Sequence, residues 1–176
     1  MRAIVDPSKL RAFMAELGRR ARGPGRVYLT GGATALDLGW RASTVDIDLK
    51  LDPEPPGVFQ VIAELKEELD VNVELASPDQ FLPPVPGWRE RSSFIVRHGT
   101  VDFYHFDPLS QALAKLARGH ERDLADVHSM LRLALFSAAD LIDGLAKISR
   151  DLDRYPALDA PAFERRVRAF VETAGD

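Results

Sequence analysis

Tyr28-Leu-Thr-Gly-Gly-Ala-Thr-Ala35, followed by Arg41-Ala-Ser-Thr-Val-Asp-Ile-Asp-Leu49, reads as a strand, a Gly-Gly turn, a short helix and a second strand carrying two aspartates. Asp46 and Asp48 are one residue apart, and side chains at i and i+2 of a strand point to the same face. Two carboxylates on one face repel unless something neutralises them. A divalent cation does this, and Mg²⁺ held by carboxylates is the usual partner of nucleotide phosphates. Gly31 and Gly32 let the backbone pass close to a ligand. The helix after them aims its free N–H groups at an anion.

Working outward, Asp6-Pro7 caps and starts a helix whose apolar residues Leu10, Phe13, Met14 and Leu17 recur at i, i+3, i+4 and i+7. The Arg-Gly-Pro-Gly-Arg loop at 22–26 ends it, and strand 27–30, helix 33–39 and strand 44–51 follow. In the last of these Val45, Ile47, Leu49 and Leu51 alternate with Asp46, Asp48 and Lys50, so an apolar side faces the core and an acidic side faces a cleft. Next come a helix over 57–69, a strand over 71–75, a proline-rich irregular stretch to Gly87, and a hairpin of 92–98 and 100–106 around His98-Gly99. Helices are predicted from Asp107-Pro108, over 120–135, from Ser137 with a capping box closed by Asp140, and over 161–173. This order predicts an α/β (α+β) fold, a mixed sheet flanked by helices, with a C-terminal helical tail. The expected division is a domain over 1–136 and a helical extension over 137–176.

The chain has 176 residues, no cysteine and a net charge of −4, which excludes a disulfide framework, a thiolate metal site and broad charge-driven nucleic-acid binding. Arginines cluster locally at 19, 20, 22 and 26 and again at 89, 91 and 97, so a local basic patch remains available to an RNA or a triphosphate. No apolar run reaches about 18 residues, so no membrane span is expected. The N-terminal helix carries Lys9, Arg11 and Glu16, unlike a signal peptide, and the expected location is cytoplasmic. His98, His105, His120 and His128 lack metal-site spacing, and Trp40 and Trp88 are assigned to packing.

Gly-Gly, a short helix and Arg-x-x-Thr-x-Asp-Ile-Asp-Leu resemble the signature of the polymerase-β-like nucleotidyltransferases. Leu113-Ala-Lys-Leu-Ala-Arg-Gly-His-Glu-Arg-Asp-Leu-Ala-Asp126 is similar to a second block of the small bacterial AbiEii-like and MenT-like toxin members. The resemblance spans roughly residues 26 to 135. It implies transfer of an NMP from an NTP to a hydroxyl on RNA (tRNA) or protein, with two Mg²⁺ ions as cofactor. It also implies a possible toxin role with a cognate antitoxin. Asp46 and Asp48 are the expected metal ligands. A third carboxylate is expected on a neighbouring strand, where Asp102 would complete the metal site or help deprotonate the acceptor. Gly31, Gly32 and Thr34 are the expected phosphate contacts, with Thr30 beside them. Arg41 orients phosphate or pins its loop, and Thr44 matches the same lead-in. Lys115, Arg118 and Arg122 form the expected cationic arm, supported by Asp123 and Asp126. The rival readings are a non-catalytic nucleotide-binding or protein-interaction domain of the same fold, and an α/β domain in which these features are structural.

Overall fold

In a computed structural model, which describes residues 4–174, the chain divides into two compact units. One comprises the residues up to Ser77 together with Ser92–Phe106, and the other Pro78–Arg91 together with the residues from Asp107 onward. The helices Pro108–Arg118 and Glu121–Arg132 fall in the second unit with the C-terminal helices.

The first unit holds α1 (Pro7–Arg20), β1 (Gly25–Thr30), α2 (Gly31–Asp37), β2 (Asp46–Leu51), α3 (Val58–Glu68), β3 (Asn72–Leu75), β4 (Ser93–His98) and β5 (Val101–His105). Its strands form one mixed sheet in the order β3-β2-β1-β5-β4. β1 runs antiparallel to β2 and parallel to β5, β2 runs parallel to β3, and β4 and β5 form the expected hairpin. Val27 and Leu29, Ile47 and Leu49, Val73, and Val101 and Phe103 all point to one side of the sheet. There they meet Leu10, Phe13 and Leu17 of α1, Ala33 and Leu36 of α2, and Val58, Ile62 and Leu65 of α3. Apolar burial on that side, worth about 25 cal/mol per Å² removed from water, fixes the register. A one-residue slip in any strand would turn its apolar set to the opposite face.

The opposite side of the sheet is therefore the polar one. By strand register it carries Asn72 and Glu74 of β3, Asp46, Asp48 and Lys50 of β2, Arg26, Tyr28 and Thr30 of β1, Asp102 and Tyr104 of β5, and Phe94 and Arg97 of β4. The element boundaries differ from the expected ones at β2. Thr44 lies outside that strand and pairs with Val5 in an isolated bridge, with Val5 N–H donating to the Thr44 carbonyl at 2.8 Å and Thr44 N–H to the Val5 carbonyl at 3.0 Å.

The second unit contains α4 (Trp88–Arg91), α5 (Pro108–Arg118), α6 (Glu121–Arg132), α7 (Ala138–Ile148) and α8 (Ala160–Ala174). Leu109, Leu113 and Leu116 of α5 are buried, as are Val127 and Met130 of α6, Leu141, Leu145 and Ile148 of α7, and Phe163, Val167 and Phe170 of α8. The capping box of α7 forms as read: the Asp140 N–H donates to the Ser137 hydroxyl at 3.2 Å, and the Ser137 N–H donates to the Asp140 carboxylate at 2.7 Å. The Arg166 guanidinium of α8 donates to the carbonyls of Leu116 and Ala117, which are among the orphan acceptors at the end of α5.

Gly18 sits inside α1, where a Cβ would run into the side chain and backbone of His98 on β4. Both partners are parts of packed elements and cannot easily give way. Gly18→Ala is therefore expected to destabilise the protein by about 1–3 kcal/mol, despite the better helix propensity of alanine. Urea unfolding measures this, and a stabilised variant would show that α1 does not pack on β4 in this way.

Candidate functional site

The acidic end of the polar sheet face is built by strand pairing. Thr30 is opposite Asp48, so the last residue of β1 and the second aspartate lie side by side where the chain turns into α2. Gly31 makes that turn with φ +53°, a left-handed conformation that costs a residue with a Cβ about 1–2 kcal/mol. A Cβ there would also come within 2.7 Å of Asp48 Oδ2. Gly32 is constrained too, because a Cβ would strike the Thr44 hydroxyl. Both glycines are thus required by the close approach of backbone to the groups of and before β2.

Asp46 and Asp48 are half-buried and share this face. On the next strand Asn72 lies beside Asp46 and Glu74 beside Asp48. The Asn72 amide donates to Asp46 Oδ1 at 2.5 Å and to Glu74 Oε1 at 3.1 Å. Sequence reasoning missed both residues. The signal was present in Val71-Asn-Val-Glu-Leu75, which alternates as β2 does, but the partner strand of β2 was not assigned. Among the described residues no group of three or more His, Cys, Asp or Glu is arranged as a metal site. A carboxylate pair nevertheless suits Mg²⁺, which is commonly held by one or two carboxylates and completes its shell with phosphate oxygens and water. The donor set and the space kept by Gly31 beside Asp48 fit that ion.

The remaining expected residues are placed as follows. Thr34 is fully buried, and its hydroxyl donates to the Leu29 carbonyl at 3.0 Å, so it ties α2 to β1 and does not face a phosphate. Its neighbour is the buried His105, whose Nδ1 lies 3.4 Å away and whose Nε2 is 3.0 Å from Asp37. The Thr30 hydroxyl donates to the Ala76 carbonyl at 2.7 Å. The Thr44 hydroxyl donates to the Asp46 carbonyl at 3.1 Å, and the Arg41 N–H to the Ala35 carbonyl at 3.2 Å. These residues shape the loops around the acidic pair.

Asp102 shares the polar face but not the acidic end. It pairs in register with Arg26, whereas Asp48 pairs with Thr30, four residues further along β1 and on its other side. At ~3.3 Å per residue and ~4.8 Å per strand the two positions are about 16 Å apart. Its carboxylate is bound by Arg97 at 2.6 and 2.8 Å, and this bidentate pair holds its pKa below the usual carboxylate range. The expected sharing of a metal with Asp46 and Asp48 is thus corrected by the strand register. Asp107 is fully buried, caps α5 and is bidentate to Arg91, so it belongs to the packing of the helical unit.

In that unit the expected cationic arm is an ion-pair cluster. Lys115 is only 6 % exposed, and its ammonium is 2.7 Å from Asp126 and 3.9 Å from Asp123. Arg118 is bidentate to Asp123 at 2.6 and 2.7 Å. Arg122 is exposed on α6. Asp126 pairs with Lys115 and Asp123 with Arg118, which neutralises both cations. Burial alone would raise the pKa of Asp123, but the Arg118 bonds together with the charge of Lys115 outweigh it and hold the carboxyl below its ordinary range.

A family model described as a nucleotidyltransferase of unknown function (DUF6036) matches residues 8–171. No curated protein and no solved structure matches the chain.

Two measurements check this geometry. Gly31→Ala is expected to lose about 1–2 kcal/mol from the left-handed backbone alone, with a further loss from crowding Asp48; urea unfolding at wild-type stability would contradict the turn. A carboxyl whose folded pKa is depressed contributes stability above its unfolded value, about 4, and that contribution is lost as pH falls through the folded value. Asp123→Asn is therefore expected to be less stable than the wild type at neutral pH and to show a shallower loss in acid. Parallel pH–stability curves for the two proteins would mean that Asp123 is not paired.

Proposed function

Since this chain belongs to the DUF6036 nucleotidyltransferase family, we propose that it transfers a nucleoside monophosphate from an NTP to a hydroxyl on RNA or protein, with Asp46 and Asp48 as its metal ligands. The observation that carries this reading is the position of the carboxylate pair: one face of β2, with Asp48 against the Gly31 turn. Mg²⁺ bound with the NTP supplies neutralisation of the carboxylates and phosphates and polarisation of the α-phosphoryl group.

The chain's own residues hold and position. Asn72 fixes one oxygen of Asp46 by a neutral donor, which orients the carboxylate without cancelling its charge. Gly31 and Gly32 keep the backbone close to Asp48 and free of side chains, so that a triphosphate can approach. In the transfer, the acceptor oxygen bonds to the α-phosphorus as the bond to the bridging oxygen of the β-phosphate breaks. Pyrophosphate leaves with that electron pair, and the hydroxyl proton passes to solvent. Such reactions depend on positioning and electrostatics more than on covalent chemistry by the protein. No phosphate contact is assigned to Thr34, whose hydroxyl is spent inside the fold, or to Lys115, whose charge is committed to Asp126.

Isothermal titration with each NTP in Mg²⁺ tests the reading. Asp46→Asn/Asp48→Asn is expected to abolish Mg²⁺-dependent NTP binding while the protein stays folded by circular dichroism. Asp102→Asn is expected to retain NTP affinity. Unchanged affinity in the double variant would remove the metal assignment. Incubation with labelled NTPs and either total RNA or total protein reports the transfer itself.

A further inference from the structure

Away from the acidic end, the polar sheet face carries an aromatic row. Tyr28 of β1 stacks on Tyr104 of β5 with ring centroids 5.3 Å apart, and Phe94 of β4 meets Tyr104 edge-on at 5.6 Å. The Arg26 guanidinium lies over the Tyr104 ring at 5.8 Å. The row ends in the open, since Phe94 is 58 % exposed although aromatic residues of this size are normally covered.

A β-bulge makes this arrangement. Phe94 pairs with Tyr104 and Arg97 with Asp102, so three steps along β4 match two along β5, and the register shifts between Phe94 and Val96. In a regular strand residues at i and i+3 point to opposite faces. The extra residue brings Phe94 and Arg97 onto one face. Bulges re-aim side chains at the cost of a ladder pair, and here the result is an exposed aromatic flanked by cations. Arg26 faces the same side as the rings, Lys50 is opposite Tyr28 on that side, and Arg97 is there bound to both oxygens of Asp102.

We propose that this half of the sheet face is the acceptor-binding surface and that its occupant is single-stranded RNA, with a base on Phe94 and a phosphate at Arg26. The proposal deepens the transferase reading and rests on it for the word acceptor. Charge selects the occupant. The same sheet face carries Asp46, Asp48 and Glu74 at β2–β3, whereas at β1–β5–β4 Asp102 is balanced by Arg97 and Arg26 adds a positive charge, so a polyanion is drawn to the second half and kept off the first except where a metal screens it. Exposed rings beside guanidinium groups are the usual means of holding unpaired bases without reading their sequence. The reach also fits. From the Asp48 position to Phe94 is three strand spacings across and two residues along, roughly 16 Å. A terminal hydroxyl at the carboxylates and a base on Phe94 thus belong to a segment of a few nucleotides. Duplex RNA buries its ring faces and gains nothing from Phe94.

The test uses the full chain, a fluorescein-labelled single-stranded RNA of about 12 nucleotides and the corresponding duplex, in fluorescence anisotropy. Single strands are expected to bind more tightly than duplex. Phe94→Ala is expected to weaken single-strand binding about ten-fold, the loss of one stacked base, with an unchanged melting temperature and unchanged NTP binding. Phe94→Tyr, which keeps the ring, is expected to retain affinity. Arg26→Ala is expected to flatten the dependence of log affinity on log salt by about 0.7, one phosphate contact on a single strand. Wild-type RNA affinity in Phe94→Ala, equal loss in Phe94→Tyr, duplex bound as tightly as single strand, or Phe94-dependent labelling of a protein in place of RNA would each overturn the proposal. NTP binding by the wild type, and its loss in Asp46→Asn/Asp48→Asn, is measured in parallel. If that fails while the Phe94 effect holds, the RNA surface stands and the transferase reading falls.

Discussion

The antiparallel pairing of β1 with β2 sets Thr30 against Asp48, and the local structure of the sheet unit follows from that one register. Because the first strand ends where the second carries its carboxylate, the turn between β1 and α2 must pass close to Asp48. Only glycine fits there, both for its positive φ and for the lack of space beside Oδ2. The following glycine is fixed by the Thr44 hydroxyl, and Thr44 is fixed by its bridge to Val5. A backbone segment far from the turn in sequence thus holds the wall against which the turn packs. The parallel addition of β3 then brings Asn72 and Glu74 beside the carboxylates.

Much of this was legible in the sequence. The alternation of Ile47 and Leu49 with Asp46 and Asp48 gave the face of β2, and the helical spacing of Leu10, Phe13, Met14 and Leu17 gave the buried side of α1. The caps at Asp6, Asp107 and Ser137 were readable because capping is local. What was not legible is cross-strand pairing. Asp102 alternates as well as Asp48 does, and nothing in its neighbourhood says which end of β1 it will meet. Thr34 was misread for a similar reason: its hydroxyl is one turn into α2, and only the docking of that helix on β1 shows that it points inward, to Leu29 and His105.

The helical unit illustrates the same limit for charge. Lys115 and Arg118 share a helix face, and spacing cannot tell a solvated face from a buried one. Gly119, at φ +72°, ends α5 and lets α6 begin, and the two carboxylates that receive the cations come from α6. Taking such charges out of water costs several kcal/mol per ion, so each is acceptable only with a partner in good geometry. Among the described residues no buried side-chain nitrogen or oxygen lacks a hydrogen-bond partner. The cluster fixes how α5 and α6 meet. Its contribution to net stability over an apolar replacement is small, while removing one partner alone leaves a buried charge uncompensated.

Three carboxylates away from the acidic end are committed to arginines. Asp102, Asp107 and Asp123 are each gripped at both oxygens by an arginine, a geometry that satisfies the charge and leaves little for a ligand. At Asp46 one oxygen accepts from the amide of Asn72, a neutral donor that orients the carboxylate. A metal site needs carboxylates fixed in place with their negative charge undiminished, since that charge is what binds the ion. An amide from a parallel neighbour strand meets both requirements where an arginine would meet only the first. The parallel pairing of β3 with β2 thus sets that amide beside Asp46, while the pairing of β5 with β1 and β4 leaves Asp102 to Arg97.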